Sequence, residues 1–212
     1  MRKKHLFVLC VLSFALMLTA CGSSYPKLSG DEALAALKSA KTLYFTGDLD
    51  DVNTFSDILA DEKTVGKVKE KGLINNRMIA TIDGKEHCYC KYVSSGDVMQ
   101  IEHSGTTYGV YDMDDNCLGY MQQRFGNGTS WYAFLQADCS EKDYRLTEDV
   151  STLCDSSGHT IGTISRVLDS TVSHAFHVEI KTDDGAQVDY TDKLIIYWAS
   201  VSWLNSEYSY LT

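Results

Sequence analysis

Proline is nearly missing from this chain: Pro26 is the only one in 212 residues, beside 15 glycines. No long Pro- or Gly-rich linker can be built from that stock, so long disordered connections are excluded. Basic residues are also scarce, 19 against 29 acids, for a formal charge of −10. A surface of that sign repels phosphates, which makes nucleic acid and anionic lipid head groups poor partners. The N-terminal apolar run from Leu6 to Leu18 is about 13 residues, well short of the roughly 20 that span a bilayer. Paired C-x-x-C spacing, the mark of a structural zinc site, does not occur. A G-x-S-x-G nucleophile elbow is missing too. The glycine-rich Gly126-Asn127-Gly128-Thr129-Ser130 lacks the G-K-[ST] ending of a phosphate loop and reads as a turn between strands. These absences predict no catalytic set, no cofactor and no metal.

The N-terminus is better furnished. Arg2, Lys3 and Lys4 precede the apolar run, and Leu18-Thr19-Ala20-Cys21 follows it. A charged n-region, an h-region and a small-residue cleavage site are the three parts of a secretory signal. The L-T-A-C ending resembles the lipobox of bacterial lipoproteins. That resemblance implies removal of residues 1–20, lipidation of Cys21 through its sulfur, and a place on the extracytoplasmic face of the cell membrane. Without the three signal cations, residues 21–212 carry −13, so lipid alone must do the anchoring. At about 0.8 kcal/mol per buried methylene, two or more acyl chains hold stably where one exchanges.

The rest of the chain is ordinary globular material, 44% hydrophobic and 23% charged. It divides into a signal peptide (1–20), a tether (21–30), a short helical segment (31–62) and a β-rich domain with a C-terminal helix (63–212). Nine residues, Gly22–Gly30, reach about 30 Å at most. Ser29 and Glu32 stand at capping-box spacing ahead of Ala33, Leu34, Ala36, Leu37 and Ala40, which predicts a helix. Leu43–Thr46 reads as a brief strand. Val52, Phe55, Ile58 and Leu59 fall at helical spacing and predict a second short helix within Asp48–Ala60. From Thr64 onward strands dominate, among them Asn76–Ile82 and Lys85–Val93 around the hairpin signal Asp83-Gly84, and Asp97–His103. Turns at regular spacing predict a mainly β (α+β) fold, an antiparallel barrel or sandwich. Residues 111–119 and 154–162 repeat one pattern at an offset of 43, with Asp and Gly at matching places. The same hairpin is thus expected twice.

Leu194-Ile195-Ile196-Tyr197-Trp198-Ala199 leaves no polar side over more than a helical turn, so a helix here has to be buried. The competing reading is a strand, because Ala199, Val201 and Trp203 alternate with Ser200 and Ser202. Serial hairpins of the form Y-D-x-D/N-G-x-x-x-G closed by an apolar C-terminal helix resemble the tubby-like or LURP-one-related barrels. The resemblance spans about residues 64–204 and implies a last helix threaded through the barrel as its core. The basic surface with which tubby proteins hold phosphoinositides is missing here, so lipid recognition is not implied.

Several residues have the chemistry of a site without its setting. Asp112, Asp114 and Asn116 match the first oxygen positions of a calcium loop, but Cys117 and Gln123 stand where Gly and Glu belong; a solvated turn is expected. His174 and His177 are three apart, which on a strand sends them to opposite faces. His87 with His103 across paired strands is the other metal candidate, and strand histidines are the expectation for all four. Cys88, Cys90, Cys117, Cys139 and Cys154 form an odd set, so at least one lacks a partner within the chain. Export permits disulfides, but small buried thiols are the favoured reading. Thirteen tyrosines with Trp131, Trp198 and Trp203 serve either a barrel core or a ligand groove, with the core favoured. Function then reduces to a membrane-anchored binding or interaction module whose partner is an unknown protein or small ligand. The alternative is a cell-envelope hydrolase whose catalytic acids are dispersed in sequence.

Overall fold

The computed structural model describes residues 25–48, 55–71, 77–93, 105–169 and 175–208. A helix α1 (Gly30–Ser39) leads into twelve strands: β1 (Thr42–Asp48), β2 (Phe55–Ala60), β3 (Lys63–Lys71), β4 (Arg77–Ile82), β5 (Lys85–Tyr92) and β6 (Thr107–Asp112) come first. Then follow β7 (Cys117–Gly126), β8 (Thr129–Leu135), β9 (Glu141–Thr147), β10 (Thr152–Asp155), β11 (Thr160–Leu168) and β12 (Ala175–Thr182), and the helix α2 (Tyr190–Tyr208) ends the series. Each strand pairs antiparallel with its neighbours in sequence, and β1 pairs with β12 to close the barrel. Phe45 marks the seam, opposite Val178 on one side and Ile58 on the other.

Closure corrects the expected boundary at residue 63. Both β1 and β2 lie inside the segment 31–62, and they are wall strands rather than a helical preface. The helix expected within Asp48–Ala60 is therefore a strand over its described part. Its apolar spacing misled because β2 is buried on both faces. Ile58 and Ala60 join the core, whereas Leu59 is covered from outside, in a cleft it shares with Tyr25 and Tyr44. The strand expected over Asp97–His103 lies outside the described residues.

Helix α1 buries Ala33 and Leu37 against the barrel, with Asp31 and Glu32 in its first turn and Lys38 in its last, as its dipole favours. The capping box does not form. Ser29 takes the N-cap position without a side-chain bond, and the Gly30 N–H instead donates to Asp83 Oδ2 at 2.8 Å. Asp83 sits in the β4–β5 turn with φ 47°, followed by Gly84 at 77°, the left-handed pair that a two-residue hairpin requires. Ahead of α1, Pro26 and Leu28 are bonded to Thr64 of β3 through Thr64 N–H to Pro26 O and Leu28 N–H to Thr64 O, both at 2.9 Å. Part of the expected tether is thus stitched to the wall.

The repeated pattern is one hairpin used twice. Asp112 Oδ1 accepts the N–H of Asp114 and Asn116, and Asp155 Oδ1 accepts those of Ser157 and His159. Each copy carries a register shift just before the turn, at Val110/Tyr111 and at Leu153/Cys154. The closing glycines, Gly119 and Gly162, let the next strand come close: a Cβ would lie 2.9 Å from Leu135 O in the first and 2.6 Å from Lys181 O in the second. Gly162→Ala should therefore force the β11–β12 pair apart and cost about 1–3 kcal/mol, read as a lowered urea midpoint. An unchanged midpoint would show that the close approach has slack.

Among the described residues, the barrel interior is filled by α2. Residues from Leu194 to Ala199 are all buried, and their neighbours ring the axis. Tyr197 stacks on Phe45 of β1 at 4.2 Å and hydrogen-bonds Ser56 of β2. Trp198 packs on Tyr92 of β5 and Tyr108 of β6, Lys193 reaches Thr182 of β12, and Trp203 lies under Arg166 of β11. A helix touching wall strands on every side is threaded through them. The strand reading of Ser200 and Ser202 fails here: Ser200 is buried, and its hydroxyl donates to Ile196 O one turn back.

Candidate functional site

The tight turns after β2, β4, β6, β8 and β10 gather at one end of the barrel, together with α1 and the segment 183–189 that leads into α2. Polar groups converge there on the first turn of α2. Lys142 of β9, its side chain 4% exposed, places Nζ 2.7 Å from Asp189 Oδ2 and 2.7 Å from Asp192 Oδ2. The Tyr144 hydroxyl, two residues along the same strand, also donates to Asp192 Oδ2. Alternation on β9 aims both side chains inward, which is why positions 142 and 144 meet one carboxylate. Asp192 is fully buried, and its Oδ1 has no hydrogen-bond partner among the described residues.

Burial raises the Asp192 carboxyl to about 6, while Lys142 and Tyr144 pull the other way in favour of the carboxylate. Burial works against the charge on Lys142 as well, but Asp192 and Asp189 outweigh it and hold that lysine above its ordinary value. Desolvation thus prevails at Asp192 and ion pairing at Lys142, and the carboxylate form of Asp192 is favoured above about pH 6. Lys193, the next residue, differs. Its Nζ donates to Ala40 O at 2.6 Å and Thr182 Oγ1 at 3.3 Å, and burial lowers its pKa. Ala40 is the C-cap of α1, so the negative end of that helix faces the ammonium. Lys142 and Lys193 clamp opposite sides of the α2 start.

Two clefts flank the segment 183–189. One, of about 470 Å3, lies toward α1 and is lined by Lys38, Lys41, Gln187, Tyr190 and Lys193; the other, of about 480 Å3, is lined by Gln136, Lys142, Tyr144, Asp155 and Asp189. A third, of about 570 Å3, opens on the outer wall between Tyr25, Tyr44, Asp61, Glu62 and Glu179. Their sizes suit a small ligand. The second cleft brings two acids to one lysine, but Asp192 is wholly buried and cannot touch a substrate, so Asp189 and Asp192 are not an acid–base pair across a scissile bond.

The residues singled out from sequence are dispersed. Asp112, Asp114 and Asn116 occupy a hairpin turn whose leading carboxylate is consumed by the turn's own N–H groups, with Asn116 Nδ2 on Asp112 Oδ2 as well. Those bonds hold the Asp112 carboxyl below its usual range. His87 meets the Tyr190 hydroxyl at 3.0 Å, and His177 meets Asp169 at 2.7 Å while stacking on Tyr44. His103 and His174 lie outside the described residues, as does Cys21. Among the described residues no three His, Cys, Asp or Glu gather as metal ligands, and no helix is long and apolar enough to cross a membrane. Gly126–Ser130 makes the β7–β8 turn as expected, with Asn127 and Gly128 at positive φ. Cys88 and Cys90 are buried in the barrel core, and the thiols of all five described cysteines are free. Of the tryptophans, Trp198 is core and Trp203 packs against it.

Sequence reasoning missed the Lys142–Asp192–Tyr144 cluster. Its one visible signal is the pair Asp192-Lys193 at the head of the most apolar stretch, where unpaired charges are costly. No protein family matches the chain, nor does any curated protein or solved structure.

Proposed function

We propose that the chain is a lipid-anchored extracytoplasmic protein of a cell membrane, held by Cys21, and that its barrel serves as a binding or interaction module. The observation that carries this reading is the pairing of a lipobox-like Leu18-Thr19-Ala20-Cys21 with a barrel already occupied by its own helix. A filled barrel offers partners its outer surface and rim clefts rather than an internal chamber. An apolar C-terminal helix threaded through a closed barrel is the one feature in keeping with the tubby-like resemblance, and the chain lacks the basic surface that serves phosphoinositides in that family. Asp192, whose carboxyl is raised by burial, is sealed from solvent, which favours binding over hydrolysis.

Cys21→Ala tests the anchor. With a formal −13 on residues 21–212 and no described helix able to span a bilayer, the variant is expected to leave the membrane fraction while the parent chain stays through a high-salt wash. Tight retention of the variant would refute a lipid anchor at this residue. Turnover of envelope polymers by the purified chain would refute the non-enzymatic part.

A further inference from the structure

We propose that Cys117 and Cys139 form a disulfide on the outer wall of the exported protein, a cross-link between the β6–β7 and β8–β9 turns. The inference rests on the export reading above for its oxidising compartment. Its geometry does not depend on that reading.

Of the five described thiols, Cys117 and Cys139 are the two that pack on one cluster outside the main core. Cys88 and Cys90 are two apart on β5 and point to one face. Residues so spaced are about 6.5 Å apart with parallel side chains, too far for the roughly 3.5–4.5 Å between Cβ atoms that a disulfide needs. Cys154 lies on β10, three strands round the wall from β7, which is about 14 Å at the usual spacing. Cys117 begins β7, and Cys139 sits in the turn that ends β8, with φ 67° and its N–H on Gln136 O at 3.0 Å. The two strands are neighbours, and their register runs to Tyr120 opposite Leu135, which brings the start of β7 beside the end of β8. Gly119 tightens that approach, since its absent Cβ leaves room for Leu135 O. Both thiols are half-buried and pack on the same small cluster of Val93, Tyr120 and Leu135, separate from the main core. Cys117 is raised by burial, and the neighbouring Cys139 adds to that shift.

The reaction is thiol–disulfide exchange with a disulfide-bearing oxidoreductase. One thiolate attacks the donor disulfide and displaces one of its sulfurs. The second thiolate then breaks the mixed bond, so the donor leaves as a dithiol that carries away the two electrons and, by way of water, the two thiol protons. The product closes a ring around β7 and β8 and fixes the turn that leads to Lys142. Gln136, Ser140 and Lys142 line the 480 Å3 cleft, so the bond braces one wall of it.

The test uses the full chain, taken from membranes with free thiols blocked by a maleimide and digested by trypsin without reductant. Arg124 lies between the two cysteines, so the bond would join peptides 92–124 and 125–142, and reduction would part them. More than half of both peptides is expected in the joined form. Blocked Cys117 and Cys139 in chains that have lost residues 1–20 would overturn the proposal, as would a bond from either to Cys154. The N-terminal mass scores export separately. Should the signal prove intact, purified reduced protein equilibrated with glutathione disulfide still decides the pairing: a Cys117–Cys139 link supports it, and any other link or none overturns it.

Discussion

Lys142→Met is expected to lose about 3–5 kcal/mol of unfolding free energy at pH 8, because it strips a fully buried carboxylate of its cation. Methionine keeps the stem's packing, so the loss reports on charge rather than on a cavity. The deficit must also depend on pH. Asp192 already stands at about 6 in the folded chain, above the unfolded value near 3.9, and losing Lys142 raises it further. Between those values the native state binds more protons than the unfolded state, so stability climbs as pH falls through the window and the deficit is largest above it. Urea midpoints of parent and variant at pH 8 and pH 5 measure this. Adding Asp192→Asn should abolish the pH-dependent part, since the amide oxygen still accepts from Tyr144 and carries no charge. An equal deficit at both pH values would show that Asp192 is not the residue left stranded.

Trp198→Lys is expected to abolish cooperative folding altogether. Truncating a buried aromatic side chain costs about 3–5 kcal/mol, and a charge is left among Tyr92, Tyr108 and the core. Set against a total stability of about 5–15 kcal/mol for a domain, those penalties consume most of the margin. Loss of the sharp thermal transition, with aggregation, is the expected result, and Trp198→Phe should retain the transition at a lower midpoint. A soluble Trp198→Lys chain that unfolds cooperatively would contradict a helix threaded through the barrel.

What the sequence exposed and what it hid have different physical origins. Asp83-Gly84 was legible because few residue pairs accept two successive left-handed conformations, and α2 was legible because six apolar residues in a row leave nothing to face water. The repeat at 111–119 and 154–162 was legible because the same Asp and Gly are needed wherever that turn is built. Strand β2 was hidden because Leu59 is buried from outside, which breaks the alternation a half-exposed strand displays. The capping box at Ser29 does not form, and the first N–H of α1, that of Gly30, is met by Asp83, 53 residues away. The cluster around Asp192 was hidden for the same reason: Lys142 and Asp192 are 50 residues apart, and only barrel closure around α2 brings them together. Local patterns announce turns and burial, whereas partners across a closed wall depend on the whole circuit.

The stitch between Pro26, Leu28 and Thr64 has a consequence for posture. Only four residues, Gly22–Tyr25, separate Cys21 from that fixed point, so an acylated Cys21 would stand no more than about 17 Å from the barrel wall. That leash is shorter than the roughly 30 Å thickness of a bilayer's hydrocarbon core. It would hold the α1 rim, with the two clefts that flank 183–189 and its Asp- and Glu-bearing turns, over the lipid head groups. The far rim, where α2 runs out beside Tyr92 and Arg166, would then look away from the membrane. A solute would have to pass beneath the barrel to reach the clefts of the α1 rim, which sets a limit on its size.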